Sequence, residues 1–250
     1  AQLLAWLAPQ HQGPSAEVRV APPDPAPLPL EDGIVARSAL FNQYIDARRL
    51  IAEHQPDRLV VLGGDCLVDL APFAYLNERY DGELAVLWVD AHPDVMTPND
   101  YPHAHAHVLG NLLGQGDPQF SGTVTRSLKP GHVMYAGLKQ TSSGETAFIE
   151  RFGLRRAGPA QLAHSSAPVL EWFKVTGARH LAIHLDLDVL DPALFRALLF
   201  ANPQTPGEWD QVPQGKMSID QVVRLLAAIA TGADVVGLGI AEHRPGVALA

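Results

Sequence analysis

A single cysteine, Cys66, stands in 250 residues. No internal disulfide framework is available, and the free thiol fits a reducing compartment. Basic side chains are also scarce: 18 Lys and Arg against 27 Asp and Glu leave a formal charge of -9. That balance disfavours nucleic acid and anionic membrane as partners, because both want a basic face. No apolar run reaches the length needed to span a bilayer and no secretory leader pattern is present, so a soluble, cytoplasmic protein is expected. The chain opens on Ala1, which reads as a missing start. No internal repeat, low-complexity tract or convincing linker divides it. A hydrophobic content of 47% can bury a large core, so residues 1–250 are expected to form one domain.

What the chain does have is an apolar run that stops abruptly at acidic residues. Ala85 to Val89 reads as a buried strand, and Asp90-Ala91-His92-Pro93-Asp94 follows it. If the backbone stays extended, Asp90, His92 and Asp94 project to one side and converge on a cation. Read alone, the segment equally suits a turn capped by Asp90 beside an ordinary loop histidine. A second segment tips the balance. His184-Leu185-Asp186-Leu187-Asp188-Val189-Leu190-Asp191-Pro192 follows the apolar Leu181 to Ile183 and again alternates carboxylates near a strand end. Two buried strands ending in acids bring like charges together at a cost that cations offset. Five carboxylate or imidazole groups point to more than one ion.

Around these segments the pattern alternates between strands and helices. Leu3 to Leu7 reads as a first strand, and Ala21 to Leu30, half of it proline, as extended chain. Ile34 to His54 carries a helical apolar stripe. Arg58 to Leu62 is a strand ending in Gly63-Gly64-Asp65-Cys66, and Leu67 to Tyr80 a helix, which puts Cys66 at a strand-to-helix turn. A lone cysteine is often a small core hydrophobe; its place at a strand end favours a functional role. Tyr101 to His107 holds three alternating histidines, His103, His105 and His107, of which one or two are expected to touch the site. Val108 to Leu113 returns to a helical pattern, His132 to Leu138 is a short strand, and Ala160 to Thr176 contains a helix. A proline-bearing segment from Asp191 to Gly215 is expected to lie over the site. Ser218-Ile219-Asp220-Gln221 is a capping box opening a helix to Ala230, and the strand Asp234 to Ile240 delivers Glu242. Strands separated by helices imply a parallel sheet with helices on both faces, and ligands then bind beyond the carboxyl ends of the strands.

Gly63-Gly64-Asp65-Cys66, Asp90-Ala91-His92-Pro93-Asp94, the His184 to Pro192 segment and Glu242-His243-Arg244-Pro245 together resemble the ureohydrolase family of arginases, agmatinases and formimidoylglutamases. The resemblance runs from about Arg58 to Pro245. It implies a three-layer α/β/α fold with an eight-stranded parallel sheet, a binuclear manganese site and a homo-oligomer, usually a trimer or hexamer. Carried over by position, Asp90 and Asp186 bridge two Mn2+ ions, His92 and Asp188 complete one, and Asp94 with Cys66 the other. A water held between the ions attacks the trigonal carbon of a small guanidino or amidine substrate, Glu242 pairs with that substrate's guanidinium, and His105 passes protons to the leaving amine.

The resemblance departs from the family pattern at several positions. Cys66 stands where most members have histidine, and a thiolate makes Zn, Fe, Co or Ni more competitive with manganese. Met96 replaces an asparagine of the arginases, Tyr101 a serine and Ser142 an aspartate, although Glu145 is retained. An arginine-sized amino acid therefore loses most of its head-group anchors, and the expected substrate differs from arginine away from the reacting carbon. Gly239 stands where many relatives carry an acid. Two other readings compete: a binding or regulatory protein on the same fold that has lost an ion and the chemistry, and a deacetylase-like hydrolase with one metal.

Overall fold

The computed structural model describes residues 1–22 and 26–248. Its elements in chain order are α1 (Gln2–Leu7), the hairpin strands β1 (Leu30–Glu31) and β2 (Ile34–Val35), α2 (Arg37–His54), β3 (Leu59–Leu62), α3 (Leu70–Arg79) and β4 (Ala85–Val89). There follow α4 (Val108–Leu112), α5 (Pro118–Ser121), β5 (Val133–Ala136), α6 (Ser143–Phe152), β6 (Arg155–Ala157), α7 (Pro159–Leu162) and α8 (Ala167–Thr176). The chain closes on β7 (His180–Asp186), α9 (Ile219–Ala230), β8 (Asp234–Ala241) and α10 (Pro245–Ala248).

Among the described residues, six strands form one parallel sheet in the order β3-β8-β7-β4-β5-β6. Alternation along the central strands divides the core into two layers. Val86 and Trp88 of β4, Ala182 of β7 and Tyr135 of β5 face the side covered by α2, α3 and α4. Ala85, Leu87 and Val89, with Leu181 and Ile183, face the opposite side, against Trp172 of α8 and Leu225 of α9. Every residue of β4 is buried, as a strand sandwiched between helical layers must be. The architecture is thus α/β in three layers.

Several sequence expectations are corrected. The main sheet has six strands rather than eight, with β3 as an edge and the β1–β2 pair standing apart as an antiparallel hairpin. Leu3 to Leu7 is part of a helix, not a strand: the Leu- and Ala-rich stretch favours helix and has no strand beside it to pair with. The helix expected from Ile34 starts at Arg37, because Ile34 and Val35 pair with Glu31 and Leu30. The segment from Leu67 begins as a 3-10 turn, Cys66–Asp69, before α3. The proline-rich expectation includes residues 23–25, which lie outside the described residues. The structure also contains elements that the sequence pattern does not mark, among them the helix α6 and the short strand β6.

The helix opening at Ser218 forms as its sequence dictates. Ser218 Oγ accepts the Gln221 N–H at 3.2 Å while the Gln221 side chain accepts the Ser218 N–H at 2.9 Å. Ser218→Ala is expected to destabilise the protein by about 1 kcal/mol in urea unfolding and to leave metal binding unchanged. An unaltered unfolding midpoint would show that the cap carries no stability.

Candidate metal centre

The carboxyl ends of β4 and β7 are built alike. Asp90 follows β4, and its Oδ1 accepts the His92 N–H at 2.6 Å. Asp186 ends β7, and its Oδ1 accepts the Asp188 N–H at 2.6 Å. In each case the carboxylate turns the chain back over the strand end. The backbone therefore does not stay extended, and the alternation expected from Asp90 to Asp94 is broken: Asp94 takes a left-handed conformation, φ 50°. The two strands are neighbours in the sheet, with Trp88 opposite His184, so both turns open on the same crevice.

Two groups of donor atoms gather there, each with its atoms within 4.8 Å of one another. One holds Cys66, Asp90, His184 and Asp186; the other holds Asp90, His92 and Asp188. Asp90 belongs to both. Asp186 belongs to the first alone, and Asp94 stands outside both groups. Cys66 donates to Asp186 Oδ2 at 3.1 Å. His92 Nδ1 lies 3.0 Å from Asp188 Oδ2. The groups fit cations on an observation of their own: among the described residues, Asp188 Oδ1, His92 Nε2 and His184 Nε2 are buried without a hydrogen-bond partner, as is the neighbouring Asp94 Oδ2.

The remaining expected residues divide between rim and scaffold. Glu242 follows β8 with φ 57°, pinned by its N–H to Gly64 O at 2.7 Å, and its carboxylate accepts Arg244 Nε at 3.1 Å. His105 sits half-buried on a 3-10 turn, its ring 6.0 Å from those of His103 and Tyr101. Burial lowers its pKa, against the charge of Asp65. His107 instead points inward, fully buried, with Nε2 2.8 Å from Tyr101 O, a structural contact. Met96 is partly buried, and its N–H bonds to Ala106 O at 3.0 Å. Ser142 and Glu145 cap α6 reciprocally: Glu145 Oε2 accepts the Ser142 N–H at 2.7 Å and Ser142 Oγ accepts the Glu145 N–H at 3.3 Å. The segment after Asp191 reaches the crevice through Phe200, whose ring lies 6.0 Å from that of His92.

His184 and Asp69 are the residues the sequence reading left without a role. Both are fully buried, with His184 Nδ1 2.7 Å from Asp69 Oδ2 and the imidazole stacked on Trp88 at 3.8 Å. A signal was there: His184, Asp186 and Asp188 alternate as Asp90, His92 and Asp94 do.

The low dielectric of the crevice moves its protons. Burial raises the Asp186 carboxyl well above the usual carboxylate range, and Asp188, Asp90 and Glu242 push the same way. Burial and Asp90 do the same to Asp94. Burial alone would raise Asp90 too, but the neighbouring His184 and His92 outweigh it and hold that carboxyl below the range. Burial would lower His92, but Asp188 and Asp90 raise it well above its ordinary value; Asp69 and Asp90 likewise raise His184. Burial, with Asp94, Asp186 and Asp90, pushes the Cys66 thiol well up. Without metal, then, the folded crevice keeps protons that the unfolded chain releases.

The sign of the linkage follows. Asp94, Asp186, His92 and His184 all have folded pKa values above those of the unfolded chain, about 3.9 and 6.5, so their contribution is full at low pH and lost as pH rises. Asp90 opposes this only below about pH 4. The metal-free protein is expected to lose stability between about pH 5 and 8 in urea melts, and a divalent cation to restore it increasingly as pH rises. A metal-free midpoint that stays level or climbs through that window would contradict this charge balance.

Comparison with known proteins places the chain. The family model described as Arginase family matches residues 28–248. The arginase of Bacillus caldovelox is 32% identical over 146 residues, covering 54% of this chain and 47% of that protein. The mitochondrial arginase 1 of Arabidopsis thaliana is 25% identical over 210 residues, covering 82% of this chain and 53% of the relative. The chain thus spans about half the length of the curated relatives it matches. Among solved structures, Bacillus caldovelox arginase superposes with a TM-score of 0.76 at 21% identity, covering 92% of this chain and 76% of that one. Formimidoylglutamase of Bacillus subtilis gives 0.65 at 18%, covering 88% and 63%. These two share the fold. With the family match extending over most of the sequence and across every strand of the main sheet, the chain belongs to the arginase family.

Proposed function

We propose that the protein is a metal-dependent hydrolase that cleaves a linear C–N bond in a small guanidino, hydroxyguanidino or formimidoyl compound and releases urea or a related amide. The observation that carries this reading is the convergence of Asp90, His92, Asp186 and Asp188 at one crevice, with buried donor atoms left unpartnered. Cys66, Asp90, Asp186, His92 and Asp188 would hold two divalent ions of the manganese, iron, cobalt, nickel or zinc series, with Asp94 beside Cys66 as a further carboxylate. Such ions, when bound, supply Lewis acidity and bring the pKa of a captured water toward neutrality.

The chain's own residues do the rest. Glu242 presents its carboxylate at the rim and already accepts an N–H from the guanidinium of Arg244. A planar cationic substrate group competes for the same oxygens, which orients its central carbon toward the crevice. Burial raises the Glu242 pKa, opposed chiefly by Arg244, so its pairing with a cation strengthens as water is excluded. His105, its pKa lowered by burial, takes a proton and hands it to the departing amine. The Phe200 ring, 6.0 Å from that of His92, adds an apolar neighbour on that side. Ser142 and Glu145 are tied to each other in the α6 cap and Met96 offers no amide, so these positions supply few amino-acid anchors. This supports a substrate without the head group of arginine. The proposal places the protein in the cytoplasm as a homo-oligomer; the described residues contain no helix long and apolar enough to cross a membrane.

Metal-loaded protein incubated with a panel of such compounds is expected to release urea, hydroxyurea or formamide from at least one. Glu242→Gln should cost about 1.5–3 kcal/mol of transition-state binding, roughly 10- to 150-fold in kcat/KM. His105→Asn should lower kcat by about 10²- to 10⁴-fold and flatten the pH profile. Silence across the panel with two bound ions would overturn the assignment and favour a binding protein.

A further inference from the structure

The geometry points to His184 as a metal ligand in its own right, donating Nε2 to an ion held with Cys66, Asp90 and Asp186, with Asp69 fixing the imidazole from behind. This deepens the reading of the site as a metal centre and rests on it, but not on the hydrolytic reaction.

His184 has the form of a core histidine: it is fully buried, stacked on Trp88 and bonded to Asp69. The Asp69 bond accounts for one ring nitrogen and leaves the other, which faces a cluster of acidic donors, to be explained. Nδ1 has Asp69 Oδ2 at 2.7 Å, whereas Nε2 has no hydrogen-bond partner among the described residues. The nearest carboxylate to it, Asp90 Oδ2, lies 3.6 Å away, beyond bonding distance, and already accepts Trp88 Nε1 at 3.0 Å. With Nδ1 committed to Asp69, Nε2 is the nitrogen that faces the same crevice as Cys66 Sγ, Asp90 and Asp186, and the four donors lie within 4.8 Å of one another. A carboxylate behind one imidazole nitrogen and a cluster of anionic donors before the other is the arrangement that orients a ligating histidine.

The sheet makes room for this pair at one position. Gly239 lies opposite His184 on the adjacent strand β8, and a Cβ there would fall 1.8 Å from Asp69 Oδ2. Any other residue at 239 would drive the Asp69 carboxylate off His184. Gly239, Asp69 and His184 are therefore one device, and Cys66 belongs to the position it serves. The resulting donor set of thiolate, imidazole and two carboxylates is softer than the set of Asp90, His92 and Asp188. The first position selects zinc, cobalt or iron over manganese, and the two ion positions differ in preference.

Cobalt titration of the full chain tests this. The wild type is expected to show a thiolate-to-cobalt charge-transfer band with the first equivalent. Asp69→Asn should weaken that equivalent by about 10- to 100-fold, and His184→Asn at least as much, with apo far-UV circular dichroism unchanged. In zinc-loaded wild-type crystals the anomalous peak should lie about 2.0–2.1 Å from His184 Nε2, a result independent of whether His184→Asn folds. An ion bound by Cys66 with His184 beyond bonding distance, or both variants binding cobalt as tightly as the wild type, would overturn the proposal. A protein that holds zinc through His184 yet turns over none of the substrate panel keeps this assignment and loses the hydrolase; turnover with His184 unligated does the reverse.

Discussion

Carboxylates brought together in a low-dielectric crevice repel one another, and the structure is organised around the means of containing that repulsion. Three parallel strands, β4, β7 and β8, deliver Asp90, Asp186 with Asp188, and Glu242 to one edge of the sheet. The chain's internal remedies are partial. Asp90 is held ionised by His92, His184 and the Trp88 indole, while Asp94 and Asp186 are driven toward their protonated forms. Protons and imidazoles balance the crevice without fully satisfying it, since donor atoms on Asp94, Asp188, His92 and His184 remain buried and unpartnered. Divalent cations would complete both the charge and the coordination.

The sheet supplies the precision for this arrangement. Because β4 and β7 are direct neighbours in register, their two aspartate turns stand side by side, and each carboxylate holds its own loop by accepting an N–H two residues on. The same groups thus serve as backbone anchors and as candidate ligands. Their orientation is fixed before any ion arrives, which lowers the cost of ordering the site.

The sequence carried much of this. Ala85 to Val89 and Ile219 to Ala230 could be delimited to the residue, the first because a strand buried on both faces reads as an unbroken apolar run, the second because Ser218 and Gln221 cap it reciprocally. The acidic ends of two strands were legible as one site because both break an apolar run in the same way. What escaped was of two kinds. Leu3 to Leu7 is a helix with no buried residue, and a short apolar run does not say which period it follows. His184 passed as part of a motif because its significance lies in Asp69 and Gly239, distant in sequence and brought alongside only by sheet register. The alternation from Asp90 to Asp94 misled for a related reason: the first carboxylate folds the loop that the alternation assumes to be straight.

The central claim is that cations belong among these side chains. Elemental analysis of the purified full chain, reconstituted with zinc and manganese and then dialysed against metal-free buffer, tests it most directly. The account predicts two retained ions per chain, one for each group of donors, and a higher thermal midpoint than the chelator-treated protein. A chain that retains no ion and melts at the same temperature with or without metal would contradict it.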